Sequence, residues 1–429
     1  MWITATHASY KVKKLEKVQR LALLMISGAT GTTPTARLEA IVGLVPIDIH
    51  LKGQAMRAWR RLFRTDSICF ANLNGLGHIK WVRENIGLVP SSTIPPSLSD
   101  LCPRVDINNK KYSCTHASRT EWETGAVKVK HRGVECFSDG SLITNNITAD
   151  HSSGCGVVIM RYNPKRVIAA QFYLGKLATV YDCELEGIRR TALKLVSLNI
   201  TGQEITIYSD NLSCILALSR NSTKSRLVTA THNSLQAAGR SNRLTLEWIP
   251  GHRGYYGNET ADRFAKRGCS HFYPAPEPLL PVRESVINSE IRKWMNDMWQ
   301  RRWKSSTQYT QTKFWVPRPR IMNNAPAVHL SRQMLRSLTG IITGHIAVRK
   351  HLHNLGVYPS PLCDCGEVES VIHILTDCPL HIMIRLLHLR QAIVKEPEVQ
   401  FLGYKCVLSF FMAVGTVAKE QQQSATSTV

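Results

Sequence analysis

The chain has 429 residues, 43% hydrophobic and 20% charged, a composition that suits two to four globular domains and excludes a mainly disordered protein. Lys and Arg number 54 against 31 Asp and Glu, and the net charge of +23 points to a polyanionic partner, nucleic acid or an acidic membrane surface. No apolar run reaches the roughly 18 residues of a membrane span, and the start, MWITATHASYKVKK, lacks the apolar core and cleavage site of a signal peptide. An intracellular chain is expected, its 12 Cys being thiols or metal ligands rather than disulfides.

Residues 1–63 read as a helical segment. Apolar Val12, Leu15, Val18, Leu21, Leu24 and Met25 recur at helical spacing, Gly28 and Gly31 interrupt them, and Pro34 and Pro46 open a second and a third helix. Residues 64–133 lose periodicity and are expected to be linker, most clearly in the Pro- and Ser-rich Val89–Asp100. Residues 134–269 read as one α/β unit. Strands are predicted at Val134–Phe137, Gly154–Met160 and Val167–Tyr173, the last two joined by a turn at Asn163-Pro164. A helix over Thr179–Leu198 and a strand over Glu204–Asp210 follow. Then come helices over Leu212–Leu218 and Leu227–Ala238, a strand over Arg243–Pro250 and a last helix over Asn258–Lys266. Three consecutive strands followed by alternation predict a mixed sheet with helices on its faces. Beyond it lie a helical segment (270–355), a cysteine-bearing element (356–400) and a C-terminal tail (401–429) that ends in the polar KEQQQSATSTV.

Four carboxylates stand out by placement. Asp139 and Asp210 each follow a Ser at the end of a predicted strand. Glu184 sits in the first helix beside small Cys183 and Gly187, which would let that helix approach the sheet closely. Asp262 lies in the first turn of the last helix. Singly these are ordinary strand terminators and helix charges; together they border one sheet edge. Such a cluster cannot stay ionised without compensation, and hard divalent cations such as magnesium or manganese supply it. Two ions about 4 Å apart can activate water and stabilise the leaving oxygen of a phosphodiester. His252, on a Gly-flanked loop ten residues before Asp262, is placed to shuttle protons.

The stretches FSDGS, YDCELEGI, IYSDN and PGHRGYYGNETAD, in this order over Val134–Gly268, resemble type 1 ribonuclease H. The resemblance implies a five-stranded mixed sheet flanked by helices and cleavage of the RNA strand of RNA–DNA hybrids with two magnesium ions. It further implies that Asp139 bridges both metals, that Glu184 and Asp210 hold one and Asp262 the other, and that His252 assists product release. Only one helix fits between Ala217 and Arg243, so the extra basic handle of some members is expected to be absent and grip on nucleic acid to fall on the basic flanks.

PLCDCGEVESVIHILTDCPLH places Cys363, Cys365, His373 and Cys378 at spacing close to a zinc knuckle, although Cys-x-Cys is one residue tighter than the commoner pair; His381 is an alternative ligand. The order of segments resembles the C-terminal end of non-LTR retrotransposon reverse transcriptase polyproteins. Thr343-Gly344-His345 matches a motif there, and ARLEAIVGLVPIDIHLKGQAMRAW resembles the region downstream of the polymerase palm. The chain holds no Asp-Asp pair from which a polymerase site could be assembled. Two readings result: a hybrid-cleaving nuclease, or a catalytically silent nucleic-acid-binding remnant.

Overall fold

Strands with both faces covered set the core of the sheet-bearing unit. The structure is a computed structural model that describes residues 9–64, 98–144, 151–162, 164–270, 278–307, 310–321 and 330–426. The chain divides into two compact units, one of residues 60–69 and 86–290, the other of residues 1–59, 70–85 and 291–429.

In chain order, helices α1 (Ser9–Ser27), α2 (Thr35–Val42) and α3 (Ile47–Arg64) come first. Strands β1 (Leu101–Asp106) and β2 (Tyr112–Thr115) and the short helix α4 (Arg119–Glu123) precede the long hairpin strands β3 (Val134–Thr144), β4 (His151–Tyr162) and β5 (Lys165–Gly175). Helix α5 (Val180–Ser197), β6 (Glu204–Ser209), α6 (Leu212–Ser219), β7 (Ser222–Ser225), α7 (Arg226–Gly239), β8 (Arg243–Trp248) and α8 (Tyr256–Ser270) complete this part.

The main sheet has six strands in the order β2-β8-β6-β3-β4-β5. Strands β3, β6, β8 and β2 run parallel, and β4 is antiparallel to both β3 and β5. The expected five-stranded sheet is therefore corrected to six. The added edge strand, β2, falls in what the sequence suggests is linker, as do β1 and α4. Four- and six-residue strands are too short to give a periodic signal, and α4 announces itself only by its capping box, Ser118 with Glu121. The linker residues 65–97, Asn163 of the hairpin turn and the last three residues of the tail lie outside the described residues.

One sheet face packs on α5, α6 and α7 through Cys136, Ile205, Ile207, Leu244, Leu246, Leu185 and Ile188. On the other, Phe137 and Tyr208 stack with ring centroids 5.0 Å apart and join Trp122, Val129, Ile249 and Ala261. Asp139 does not end its strand as expected. Parallel pairing of β3 with β6 stops at Phe137 and Tyr208, while antiparallel pairing with β4 carries β3 on to Thr144. Asp262 lies in the second turn of α8, not the first, because that helix already starts at Tyr256.

In the other unit, α9 (Glu284–Ser305), α10 (Thr310–Trp315), α11 (Arg332–Thr343), α12 (Arg349–Asn354), α13 (Val371–Thr376), α14 (Ile382–Leu389) and α15 (Tyr404–Thr426) follow, with the first turns of α9 belonging to the sheet unit. Trp303, Trp315, Leu338, Ile342, Leu375, Val407 and Phe410 share one core with Ala40 and Ile41. Residues 401–426, in the expected C-terminal tail, run from a short 3-10 turn into α15. Apolar Val407, Leu408 and Phe410 form the buried face of α15. No helix among the described residues is long and apolar enough to cross a membrane.

Gly140 fixes how closely α5 can approach β3: a Cβ there would stand 2.5 Å from the Glu184 backbone nitrogen and 2.8 Å from the Cys183 Cβ. Rigid backbone on both sides leaves nowhere to shift. Gly140→Ala is expected to destabilise the protein by about 1–3 kcal/mol, read as a lowered thermal midpoint, whereas Gly202→Ala, where a Cβ meets nothing within 4 Å, should cost only the strain of its positive φ.

Candidate active site

The end of parallel pairing between β3 and β6 decides where charge collects. One residue past the last β6 residue, Asp210 turns off the sheet, and beside it Asp139 continues along β4. Asn211 caps α6 by accepting a hydrogen bond from the Cys214 amide, so the chain turns sharply just after Asp210. The Trp248 indole donates to the Asp210 carbonyl at 2.9 Å and holds that turn. Glu184 enters from α5, whose start is set by a capping box of Thr179 and Asp182.

Asp139, Glu184 and Asp210 each offer a carboxylate oxygen within 4.8 Å of the others. All three are shielded, with Asp139 7% and Glu184 4% exposed. Burial, then the charges of Asp210 and Asp262, push Asp139 up to about 8. Burial and the charges of Asp139 and Asp210 raise Glu184 well above the usual carboxylate range. Burial also raises Asp210, opposed by a hydrogen bond from Asn258 and by His252 nearby. Asp262, on α8, lies close enough for its charge to contribute to the raised Asp139. Its partner is Lys266, whose Nζ lies 2.6 Å from Oδ2.

Three of the four predicted carboxylates, Asp139, Glu184 and Asp210, lie within one potential coordination sphere, and Asp262 is outside that group. His252 sits exposed on a loop with φ 55° near Asp210. Asn258 is a residue that motif reading passed over. It is 4% exposed, donates to Asp210 Oδ2 at 3.4 Å, and leaves its own Oδ1 buried without a partner. The signal available was its position four residues before Asp262, on the same face of α8. At Gly251 a Cβ would stand 2.6 Å from Asp210 Oδ2, so the loop can pass the site only without a side chain there.

The donor set fits a hard divalent cation. It is all oxygen, it carries an excess of negative charge, and Glu184 Oε2 is buried with no hydrogen-bond partner among the described residues. An uncompensated oxygen of this kind is costly unless something positive approaches it.

A second donor set lies in the other unit. Cys363, Cys365, His373 and Cys378 place one donor atom each within 4.8 Å of one another. The first two sit on a tight turn in which the Gly366 amide donates to the Cys363 carbonyl at 2.9 Å, and His373 and Cys378 flank the end of α13. The Cys363 and Cys378 sulfurs are 3.7 Å apart, close to the roughly 3.8 Å edge of a tetrahedron with zinc–sulfur bonds of about 2.3 Å. His373 turns Nε2 to Cys365 at 3.2 Å and Nδ1 to the Asp377 carboxylate at 3.1 Å. That is how a carboxylate orients a metal-binding imidazole. His381 is not part of the group. Burial raises the Cys363 and Cys378 thiols, the latter to about 12, so ligation there would release protons.

The raised carboxyls set the pH dependence of the metal-free protein. For an acid whose folded pKa exceeds its unfolded value, the stabilisation is complete below the unfolded pKa, near 4, and is lost as pH climbs through the folded value, about 8 for Asp139. The thermal midpoint in chelator should therefore fall between about pH 4 and 8. Asp139→Asn should raise it at pH 7.5, measured by calorimetry; an unchanged or lower midpoint would contradict this electrostatic account.

Residues 131–270 match the RNase H family model. A curated relative, the retrovirus-related Pol polyprotein from type-1 retrotransposable element R1 of Bradysia coprophila, is 31% identical over 108 residues, 24% of this chain and 10% of that polyprotein. The chain thus matches about a tenth of that relative's length. Similar solved structures include the N-terminal RNase H domain of a Mycobacterium tuberculosis protein, 20% identical over 32% of this chain and 94% of that one, TM-score 0.26. RNase H1 of Halobacterium salinarum is 14% identical over 32% and 97%, TM-score 0.26. LC11 RNase H1, in complex with an RNA/DNA hybrid, is 16% identical over 32% and 96%, TM-score 0.27. Residues 131–270 are a domain of the RNase H family, in a chain related to a retrotransposon Pol polyprotein.

Proposed function

We propose that this chain is a metal-dependent endonuclease that hydrolyses the RNA strand of RNA–DNA hybrids. The observation that carries the reading is the convergence of Asp139, Glu184 and Asp210 within 4.8 Å, with an unpaired Glu184 oxygen, inside an RNase H family domain. Two magnesium ions, or manganese in their place, would supply the polarised phosphate and the activated water of a phosphodiester hydrolysis. Asp139 lies close to Glu184 and Asp210 and feels the charge of Asp262, so it is the residue that would serve both ions. Glu184 and Asp210 would hold one ion and Asp262 the other. Lys266, which now balances Asp262 and is 57% exposed, is free to swing away. His252, on its exposed loop beside Asp210, takes and returns protons as product leaves. Asn258 keeps Asp210 oriented.

Selectivity for hybrid would rest on 2′-hydroxyl and backbone contacts rather than base edges, and the +23 charge would make affinity fall with salt. A labelled-hybrid assay on the full chain tests the reading. Cleavage of the RNA strand should require magnesium, and Asp210→Asn should lower it by more than about 100-fold, beyond the loss of an outer-shell partner. Hybrid binding without any metal-dependent cleavage would mean the silent remnant instead.

We further propose that Cys363, Cys365, His373 and Cys378 hold one structural zinc ion, closing a tetrahedron that staples the turn before α13 to the residue after it. Purified chain should carry about one zinc, and Cys378→Ser should lose it together with thermal stability. Metal content near zero in the wild type would refute the site.

A further inference from the structure

Helix α5 carries Glu184, and its first turn is fastened by residues outside the span that matches the RNase H family model. Asp182, two residues before Glu184, is 1% exposed. Its Oδ2 accepts from the Thr179 amide at 3.0 Å, which with the Asp182 amide donating to the Thr179 hydroxyl at 3.3 Å makes the capping box, and it also accepts from that hydroxyl at 2.7 Å. Its Oδ1 accepts from Nε of Arg283, just ahead of α9. The same guanidinium lies over the Tyr181 ring at 4.2 Å and brings Nη2 to 4.0 Å from Asp100 Oδ2.

Asp100 comes from the other side of the domain. Its Oδ1 accepts from the Leu227 amide and the Ser225 hydroxyl, so it caps α7, which packs on α5. The two flanks also pair with each other: the Asp100 amide donates to the Val282 carbonyl at 2.9 Å and the Val282 amide to the Leu98 carbonyl at 2.8 Å. Leu280 packs with Leu174, Ala178 and Cys183, against the turn from which α5 starts.

We propose that Arg283 is a positioning residue for the nuclease site, the keystone of a clasp of residues 98–100 and 280–283 that sets the N-terminal turn of α5 and with it Glu184. The inference rests on the nuclease reading for its role in turnover, but the clasp has its own structural readout. A buried carboxylate needs a partner, and the bidentate reach and ring stacking of Arg are matched only in part by Lys. Without Arg283, Asp182 turns toward water and loosens the cap, and Glu184 loses its register against Asp139. Misplacement of a reacting group by about 1 Å costs on the order of 100-fold in rate.

The test uses the full chain with Arg283→Ala and Arg283→Lys. Hydrogen exchange should speed selectively at residues 182–187 in Arg283→Ala, while β6 and β8 stay protected. In the hybrid assay kcat should fall about 10- to 100-fold with KM changed less than about threefold, the magnesium midpoint should rise, and Arg283→Lys should recover part of kcat. Wild-type kcat in Arg283→Ala with unchanged exchange at 182–187 overturns the proposal. So does a loss of activity matched by uniform loss of protection across the sheet, since that is a folding defect. If the wild type itself does not cleave, the nuclease reading falls, and the selective exchange alone decides the clasp.

Discussion

Mutual repulsion of buried carboxyls is the constraint on which the rest of this molecule depends. Asp139 and Asp210 stand where parallel pairing of β3 and β6 stops, so neither can back away from the other without breaking the sheet. Glu184 is pressed toward them because Gly140 lets α5 come within a Cβ's width of β3. The packing that gives the core its density therefore enforces an electrostatic cost, which raises the carboxyls toward their protonated form and which a cation would relieve. Stability and chemistry pull in opposite directions at this edge, as expected where a site stores strain for use.

The surrounding elements limit how that strain can relax. Trp248 holds the Asp210 backbone, Asn258 its carboxylate, and the flanking clasp holds the start of α5. On the opposite sheet face α4 places Trp122 edge-on to Tyr255, and Glu123 pairs with Arg253, next to His252. The loop of the exposed histidine is thus tied down at the residues after it while its own side chain stays in solvent. In the cysteine cluster burial raises the Cys363 and Cys378 thiols, and Asp377 holds Nδ1 of His373.

Much of this was legible in the residues. Strands β6 and β8 alternate apolar with polar residues, α5 begins at a recognisable cap, and the carboxylates sit in motifs with strong spacing, from which the resemblance singled out all four and His252. What was not legible has physical causes. The reach of β3 past Asp139 depends on β4, a non-local pairing that a single strand does not encode. Short β1, β2 and α4 carry too few residues for a period to emerge, and the buried face of α15 was masked by the polar residues after it. Asn258 offered only its place one turn before Asp262 and Arg283 no signal at all, because their importance lies in what they touch, across 48 and 101 residues of sequence.

The central claim is that buried, protonated carboxyls are traded for divalent metal at one sheet edge. Calorimetric titration of the metal-free full chain with manganese, repeated in buffers of different ionisation enthalpy, measures that trade directly. The account predicts saturable binding with net proton release near pH 7, and loss of both in Asp139→Asn. Binding with no proton release, or no binding by a wild-type chain that is folded, would contradict it.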